Sequence, residues 1–156
     1  MLYPSIAERL QTQHLAIENI IQPLSNERLQ LRPQPGKWNI HDNMAHLGSY
    51  QPVFIGRMQQ ILDNDTPAFS RYKADEDTEF MRWQKMDVVT LIQQMAEDRK
   101  NIHAFLLSLS TEQLNRTGKH AKYGTLSIVQ WTEFFLLHEA HHIFTIFQLA
   151  NDVDLK

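Results

Sequence analysis

Two histidines one helical turn apart, His138 and His142, are the residues whose type and spacing could do chemistry in this sequence. At about 100° per residue they share one helix face, and two imidazoles on one face can hold one metal ion. Their surroundings, from Leu126 to Leu149, are apolar on nearly every side, which predicts a helix packed among other helices, with Thr125 as its N-cap. Two core histidines satisfied by neighbouring polar groups would give the same pattern, so a third ligand must decide.

The run from His138 to His142 also matches H-E-x-x-H, the helix motif of zinc peptidases. Such an enzyme needs a third ligand and a strand-lined cleft, and only Asp152 and Asp154 follow as candidate ligands. A carboxylate-bridged di-iron bundle would need two E-x-x-H pairs and two further inward carboxylates, whereas Glu139 to His142 is the only such pair. Neither alternative is favoured.

Composition limits the chemistry further. A chain of 156 residues with 42% hydrophobic content suits a single domain over residues 1–156. A net charge of -3 without basic runs predicts no nucleic-acid partner, and the broken apolar stretches and absent leader predict no membrane partner and a cytoplasmic protein. Because there is no cysteine, any metal must be bound by nitrogen and oxygen, and any thiol must come from outside.

The elements that would position these residues are four long amphipathic helices. No strand alternation is visible, so we predict an all-α four-helix bundle with a long crossover between helices 2 and 3 and negligible β-structure. The first predicted helix runs from the Ser5–Glu8 capping box to near Pro23, and the second runs from Ile40 to about Leu62 with Asn39 as its N-cap. The third begins after its N-cap Asp87. The fourth contains the histidine pair and is expected to be the most buried helix.

Several polar residues lie on or beside the inward faces of these helices. His46 lies on the shoulder of the second helix, near Tyr50 and Arg57. Arg99 falls within the apolar stripe of the third, where its stem could pack while its head reaches water or Glu133, or where it could face an anionic substrate. A single histidine on an apolar face, such as His14, is more often a core residue than a ligand.

Two segments resemble the signatures of the DinB-like superfamily. Residues 35–47, PGKWNIHDNMAHL, are similar to P-x-G-x-W-[ST]-x-x-E-x-x-x-H-L, and residues 124–142 are similar to G-x-[ST] followed by H-[DE]-x-x-H. Asn39 and Asp42 replace the usual Ser or Thr and Glu, but they keep oxygen atoms that can cap a helix. The resemblance implies a four-helix bundle, commonly dimeric, in which a divalent metal, zinc or nickel, is held by His46, His138 and His142.

Three neutral imidazoles would leave a coordination position open, as a catalytic metal site requires. A water or an external thiol there would lose its proton more easily, and affinity for the metal should fall below about pH 6.5 as the imidazoles protonate. Glu139 is a candidate general base or partner of an imidazole N–H. Arg99, Tyr50 and Arg57 are candidates for binding the thiol cosubstrate.

Two functions follow from this resemblance. One is a thiol-dependent S-transferase that acts on small electrophiles in detoxification or stress response, as the bacillithiol-, mycothiol- and glutathione-dependent members do. The other is a non-catalytic stress protein that binds a metal or small ligand. In either case we expect a homodimer, because the last helix is apolar around its circumference and three neighbouring helices would not cover it.

Overall fold

The computed structural model describes residues 1–152, so Asp154 lies outside the described residues. Within them the chain forms a four-helix bundle, as predicted, with short helices in its connections. The helices are α1 Pro4–Thr12, α2 Ala16–Ile21, α3 Asn26–Gln30, α4 Ile40–Asp63, α5 Thr78–Trp83, α6 Val88–Ser108, α7 Thr111–Asn115 and α8 Ile128–Asn151; the strands are β1 Ala68–Phe69, β2 Thr117–His120 and β3 Gly124–Ser127. None of these helices is long and apolar enough to cross a bilayer.

The starts of α4 and α6 are where their capping residues predict them. Asn39 Oδ1 accepts from the backbone N–H of Asp42 at 2.7 Å, and the Asp42 carboxylate accepts from the Asn39 N–H at 3.2 Å, which completes a capping box. Asp87 Oδ1 accepts from the Thr90 N–H at 2.9 Å. These bonds satisfy amide groups that a helix N-terminus leaves without an intrahelical partner, so they define where each helix begins.

The first predicted helix is interrupted and its predicted cap is wrong. Pro4 lies at the start of α1 and Tyr3 is the N-cap, without a side-chain capping bond, so Ser5 is already inside the helix. A proline suits this position because its fixed φ is helical and its missing N–H would have had no partner. A 3-10 turn, Gln13–Leu15, then separates α1 from α2. It places His14 at the break rather than within a continuous stripe.

A small three-stranded sheet adds a feature that the sequence pattern did not indicate. Strand β2 pairs antiparallel with β3 and parallel with β1. The hairpin lies directly before α8 and includes Thr125, which was predicted to be the N-cap of this helix. The N-cap is instead Ser127, which forms a capping box with Gln130. Strands of two and four residues are too short to show an alternation of polar and apolar residues.

The most buried helix is α4, not α8 as predicted. Every residue from Ile40 to Gln51 is buried, because the crossover lays α5 over the face of α4 that the other long helices leave open. The approach is close at Gly48, where an added Cβ would lie 2.1 Å from the ring of Trp83. By contrast, α8 leaves an outer stripe exposed, formed by Leu137, Phe144 and Phe147.

Candidate metal centre

Three histidines converge between the two longest helices of the bundle. His46 comes from α4, and His138 and His142 come from successive turns of α8. Each can offer one ring nitrogen to a group in which all three nitrogens lie within 4.8 Å of one another. The structure thus brings together the three residues that the helical spacing and the family resemblance had singled out. They are also the only group of three or more candidate ligands that residues 1–152 form.

The nitrogens that converge are Nε2 atoms. His46 Nε2 and His138 Nε2 lie 3.0 Å apart, with their rings nearly perpendicular. The His142 ring is 4.6 Å from that of His46 and 4.7 Å from that of His138, and its Nδ1 bonds to Asn43 Oδ1 at 2.8 Å. Because Nδ1 is engaged there, the nitrogen that His142 can offer to a ligand is Nε2.

Burial keeps all three imidazoles neutral. It lowers the pKa of His46 to about 2, with further lowering by the charges of His138 and His142. It lowers the pKa of His142 to about 3 and that of His138 to about 4, with smaller effects from neighbouring histidines. A neutral imidazole is the form that binds a metal. Protons should therefore compete with a metal for these histidines at a lower pH than for a free histidine.

The donor set fits a divalent metal ion. Imidazole nitrogens bind zinc at about 2.0–2.1 Å, which for a tetrahedral ion places neighbouring nitrogens about 3.4 Å apart, close to the separation seen here. The Nδ1 atoms of His46 and His138 are buried without a hydrogen-bond partner, so no protein group fixes these rings from that side. His46 is buried, whereas His138 and His142 are partly buried.

Aromatic rings form the wall of the site around His46. Trp38 lies 5.0 Å from the His46 ring, Tyr72 stacks on it at 5.9 Å and Phe80 meets it edge-on at 6.2 Å. Tyr72 also donates its hydroxyl hydrogen to Asp77 Oδ2 at 2.7 Å. Sequence reasoning missed Tyr72 and Phe80, because both belong to the crossover, where no periodic pattern marks a face. Trp38 had a signal, since it precedes the cap of α4 within the family-like segment.

Two of the predicted binding residues lie next to this wall. The Tyr50 ring is 5.0 Å from that of His138 and 6.1 Å from that of His46. Arg57 donates to the Tyr50 hydroxyl at 3.3 Å and to the Ser70 carbonyl at 3.0 Å. Burial raises the pKa of Tyr50, so its hydroxyl remains protonated. The site thus has one polar edge, formed by a phenol and a guanidinium.

The other two predicted residues, Arg99 and Glu139, form an ion pair in the core. Each side chain is only 2% exposed. The Glu139 carboxylate accepts from both terminal nitrogens of Arg99 and from Gln13 Nε2, while Arg99 Nε donates to Gln51 Oε1. Glu133, the partner expected for Arg99, instead pairs with Arg9.

A known family, a protein and a solved structure are each similar to this chain over most of its length. The model of the DinB superfamily matches residues 9–146. A protein of Oceanobacillus iheyensis named as a candidate metal-dependent hydrolase, OB0782, is 24% identical over 139 residues, which cover 88% of this chain and 80% of that protein. Among solved structures, YfiT from Bacillus subtilis, described as "a probable metal-dependent hydrolase with an unusual four-helix bundle topology", superposes with a TM-score of 0.77 at 19% identity, over 93% of this chain and 83% of its own.

Proposed function

The chain belongs to the DinB superfamily, and on that premise we propose that it is a metal-dependent enzyme whose divalent ion, zinc or nickel, is held by His46, His138 and His142. The observation that carries the proposal is the convergence of three neutral imidazoles with nitrogens within 4.8 Å of one another. Two of these nitrogens, Nε2 of His46 and Nε2 of His138, lie 3.0 Å apart. A bound ion would replace this contact between two neutral rings with bonds to both nitrogens.

The protein supplies three things to a reaction at this site. It keeps the imidazoles neutral by burying them, and it leaves one side of the cluster accessible where a small molecule can enter. The aromatic wall of Trp38, Tyr72 and Phe80 can hold an apolar substrate and exclude bulk water. A divalent ion, when bound, would acidify a nucleophile so that it is available at neutral pH.

The substrate we propose is a small electrophile, and the nucleophile is either water or a low-molecular-weight thiol. Hydrolysis is favoured by the names of the relatives, two of which are described as metal-dependent hydrolases. S-transfer is favoured by the family resemblance of the sequence, and since the chain has no cysteine the thiol would be a cosubstrate. The cytoplasm, where small thiols are kept reduced, suits this second reaction.

The polar edge of the site gives Tyr50 and Arg57 a role in binding. The guanidinium of Arg57 is already directed to the Tyr50 hydroxyl, beside His138, so the two groups could orient an anionic part of the substrate or thiol. Arg99 and Glu139 engage one another in the core. We therefore propose that they support the position of α8 rather than contact the substrate.

The test is metal content followed by turnover. Elemental analysis after dialysis against a weak chelator should give about one zinc or nickel ion per chain for the wild type. Each of His46→Ala, His138→Ala and His142→Ala should lower affinity by orders of magnitude. His141→Ala is the matched control, because His141 is exposed beside His142 and lies outside the cluster.

Turnover of a generic electrophile with and without a small thiol then separates the two reactions. Turnover that needs no thiol indicates a hydrolase, and turnover that requires one indicates a transferase. Metal binding without either turnover would favour the non-catalytic alternative. A wild-type protein that holds no metal after reconstitution with zinc and nickel would refute the proposal.

A further inference from the structure

Asn43 is a buried amide whose orientation is determined by its surroundings. It is 2% exposed, on the first turn of α4, one turn before His46. Its Nδ2 donates to the main-chain carbonyl of Asn39 at 2.8 Å, and its Oδ1 lies 2.8 Å from His142 Nδ1. A carbonyl oxygen can only accept. The amide nitrogen must therefore face Asn39, because the reverse orientation would put two oxygen acceptors in contact.

This orientation selects one tautomer of His142. Asn43 Oδ1 can only accept, so the hydrogen of the contact belongs to His142 Nδ1. The form of imidazole that binds a metal is neutral and carries a single N–H hydrogen. The lone pair of His142 is consequently on Nε2, the nitrogen that faces the other two histidines.

The other two histidines are not held in this way. Neither His46 Nδ1 nor His138 Nδ1 has a hydrogen-bond partner, and their Nε2 atoms face each other at 3.0 Å. In the metal-free protein one of these Nε2 atoms must carry the hydrogen of that contact. That ring must move its hydrogen to Nδ1 before Nε2 can bind a metal, whereas His142 is already in the form that binds.

We infer that Asn43 is a positioning residue: it locks His142 into the Nδ1–H tautomer and directs Nε2 of His142 toward the metal. The inference rests on the proposed metal site, but the tautomer itself is a property of the metal-free protein. Partners of this kind orient ligating histidines in metal sites, and their loss typically lowers metal affinity 10- to 100-fold.

Two substitutions separate this role from simple packing. Asn43→Leu keeps about the same volume and removes the acceptor. Asn43→Asp keeps an acceptor oxygen for His142 Nδ1 but turns a second oxygen toward the Asn39 carbonyl, so it tests the tautomer and not the affinity. Ser49→Ala is the control, because Ser49 is buried on the same helix and its hydroxyl donates to the main-chain oxygen of His46, at 3.2 Å, rather than to a ring nitrogen.

The first measurement is nitrogen-15 NMR of the histidine rings in the metal-free protein. Wild type and Asn43→Asp should show His142 with its hydrogen on Nδ1, and Asn43→Leu should show a mixture or the Nε2–H form. The second is zinc affinity by chelator competition. Asn43→Leu should bind about 10- to 100-fold more weakly, while Ser49→Ala should remain near wild type.

An Nε2–H tautomer of His142 in the wild type would overturn the inference. Because this NMR measurement uses the wild-type protein, its outcome does not depend on whether any variant folds. It would also be overturned if Asn43→Leu bound zinc as wild type does. A wild type that binds neither zinc nor nickel yet shows the Nδ1–H tautomer would refute the proposed function and retain the tautomer lock.

Discussion

The ion pair between Arg99 and Glu139 leads to a quantitative prediction about stability. Arg99 donates to both carboxylate oxygens of Glu139 and to Gln51 Oε1, and its guanidinium carbon lies 4.8 Å from the centre of the Phe135 ring. Arg99→Met would keep the apolar stem and remove all of these polar contacts. The carboxylate of Glu139 would then keep one donor, Gln13 Nε2, at 2.9 Å.

The cost follows from the burial of the remaining charge. Removing one partner of a buried ion pair typically destabilises a protein by about 3–5 kcal/mol, because the other charge stays desolvated. A single-domain protein has a total stability of about 5–15 kcal/mol, so this loss is at least about a fifth of it. Adding Glu139→Gln removes the charge, and the double variant should recover to within about 2 kcal/mol of wild type.

The chain contains a matched control for this measurement. Arg9 of α1 pairs with Glu133 of α8 in the same two-contact form, with nitrogen–oxygen distances of 2.6 and 2.9 Å, but their side chains are 32% and 38% exposed. Exposed pairs contribute about 0–1 kcal/mol, so Arg9→Met should have a small effect. Urea denaturation of the metal-free variants at pH 7 gives both differences.

If Arg99→Met lowers the free energy of unfolding no more than Arg9→Met does, the supporting role of the Arg99–Glu139 pair is refuted. Metal affinity and turnover of Glu139→Gln decide whether Glu139 also acts as a general base. A variant that folds and binds metal but does not turn over would return Glu139 to the role of general base.

Three further predictions concern packing, pH and assembly. Gly48→Ala should destabilise the fold by roughly 3 kcal/mol, because its Cβ would lie 2.1 Å from the Trp83 ring. Gly56→Ala, on the same helix, has open space around its Cβ and should stabilise the fold by up to about 1 kcal/mol. Thermal unfolding measures both effects. In the metal-free protein, the free energy of unfolding should fall as pH drops from about 6.5 toward 4. The reason is that the three histidines take up protons in the unfolded chain but stay neutral in the folded one, where burial lowers their pKa values. Equal urea midpoints at pH 7 and pH 5 would contradict this. Finally, we propose that the exposed stripe on α8 pairs two copies of the chain, so Phe144→Glu should convert a dimer into a monomer in sedimentation equilibrium, and a wild type that is already monomeric at micromolar concentration would rule the dimer out.

The sequence predicted the long helices well because their signals are local. Asn39 with Asp42 and the lone Asp87 are side chains that satisfy amides within their own first turn. Similarly, His138 and His142 share a face because of helical geometry alone. Such features depend on residues three or four apart, and a single sequence contains all the information that they need.

The features that were missed depend on partners far apart in the chain. The β-hairpin before α8 is completed by β1, from the crossover. Arg99 could not be assigned to Glu139 rather than Glu133 without knowing which side chain of α8 reaches α6 across the core. The two carboxylates differ in burial: Glu139 points into the core, whereas Glu133 is partly exposed. An apolar helix does not show this, because most of its positions would be acceptable in a core.

The burial of α4 explains why the site forms where it does. Twelve consecutive residues of this helix, Ile40 to Gln51, are buried, and this stretch contains His46 together with Asn43, which orients His142. A helix covered on all sides can hold polar side chains in fixed positions, because each must find a partner within the protein. Crossover residues such as Phe80 and Trp83 provide that cover. The crossover therefore does more than connect α4 to α6: it covers His46, while His138 and His142 on α8 are only partly buried.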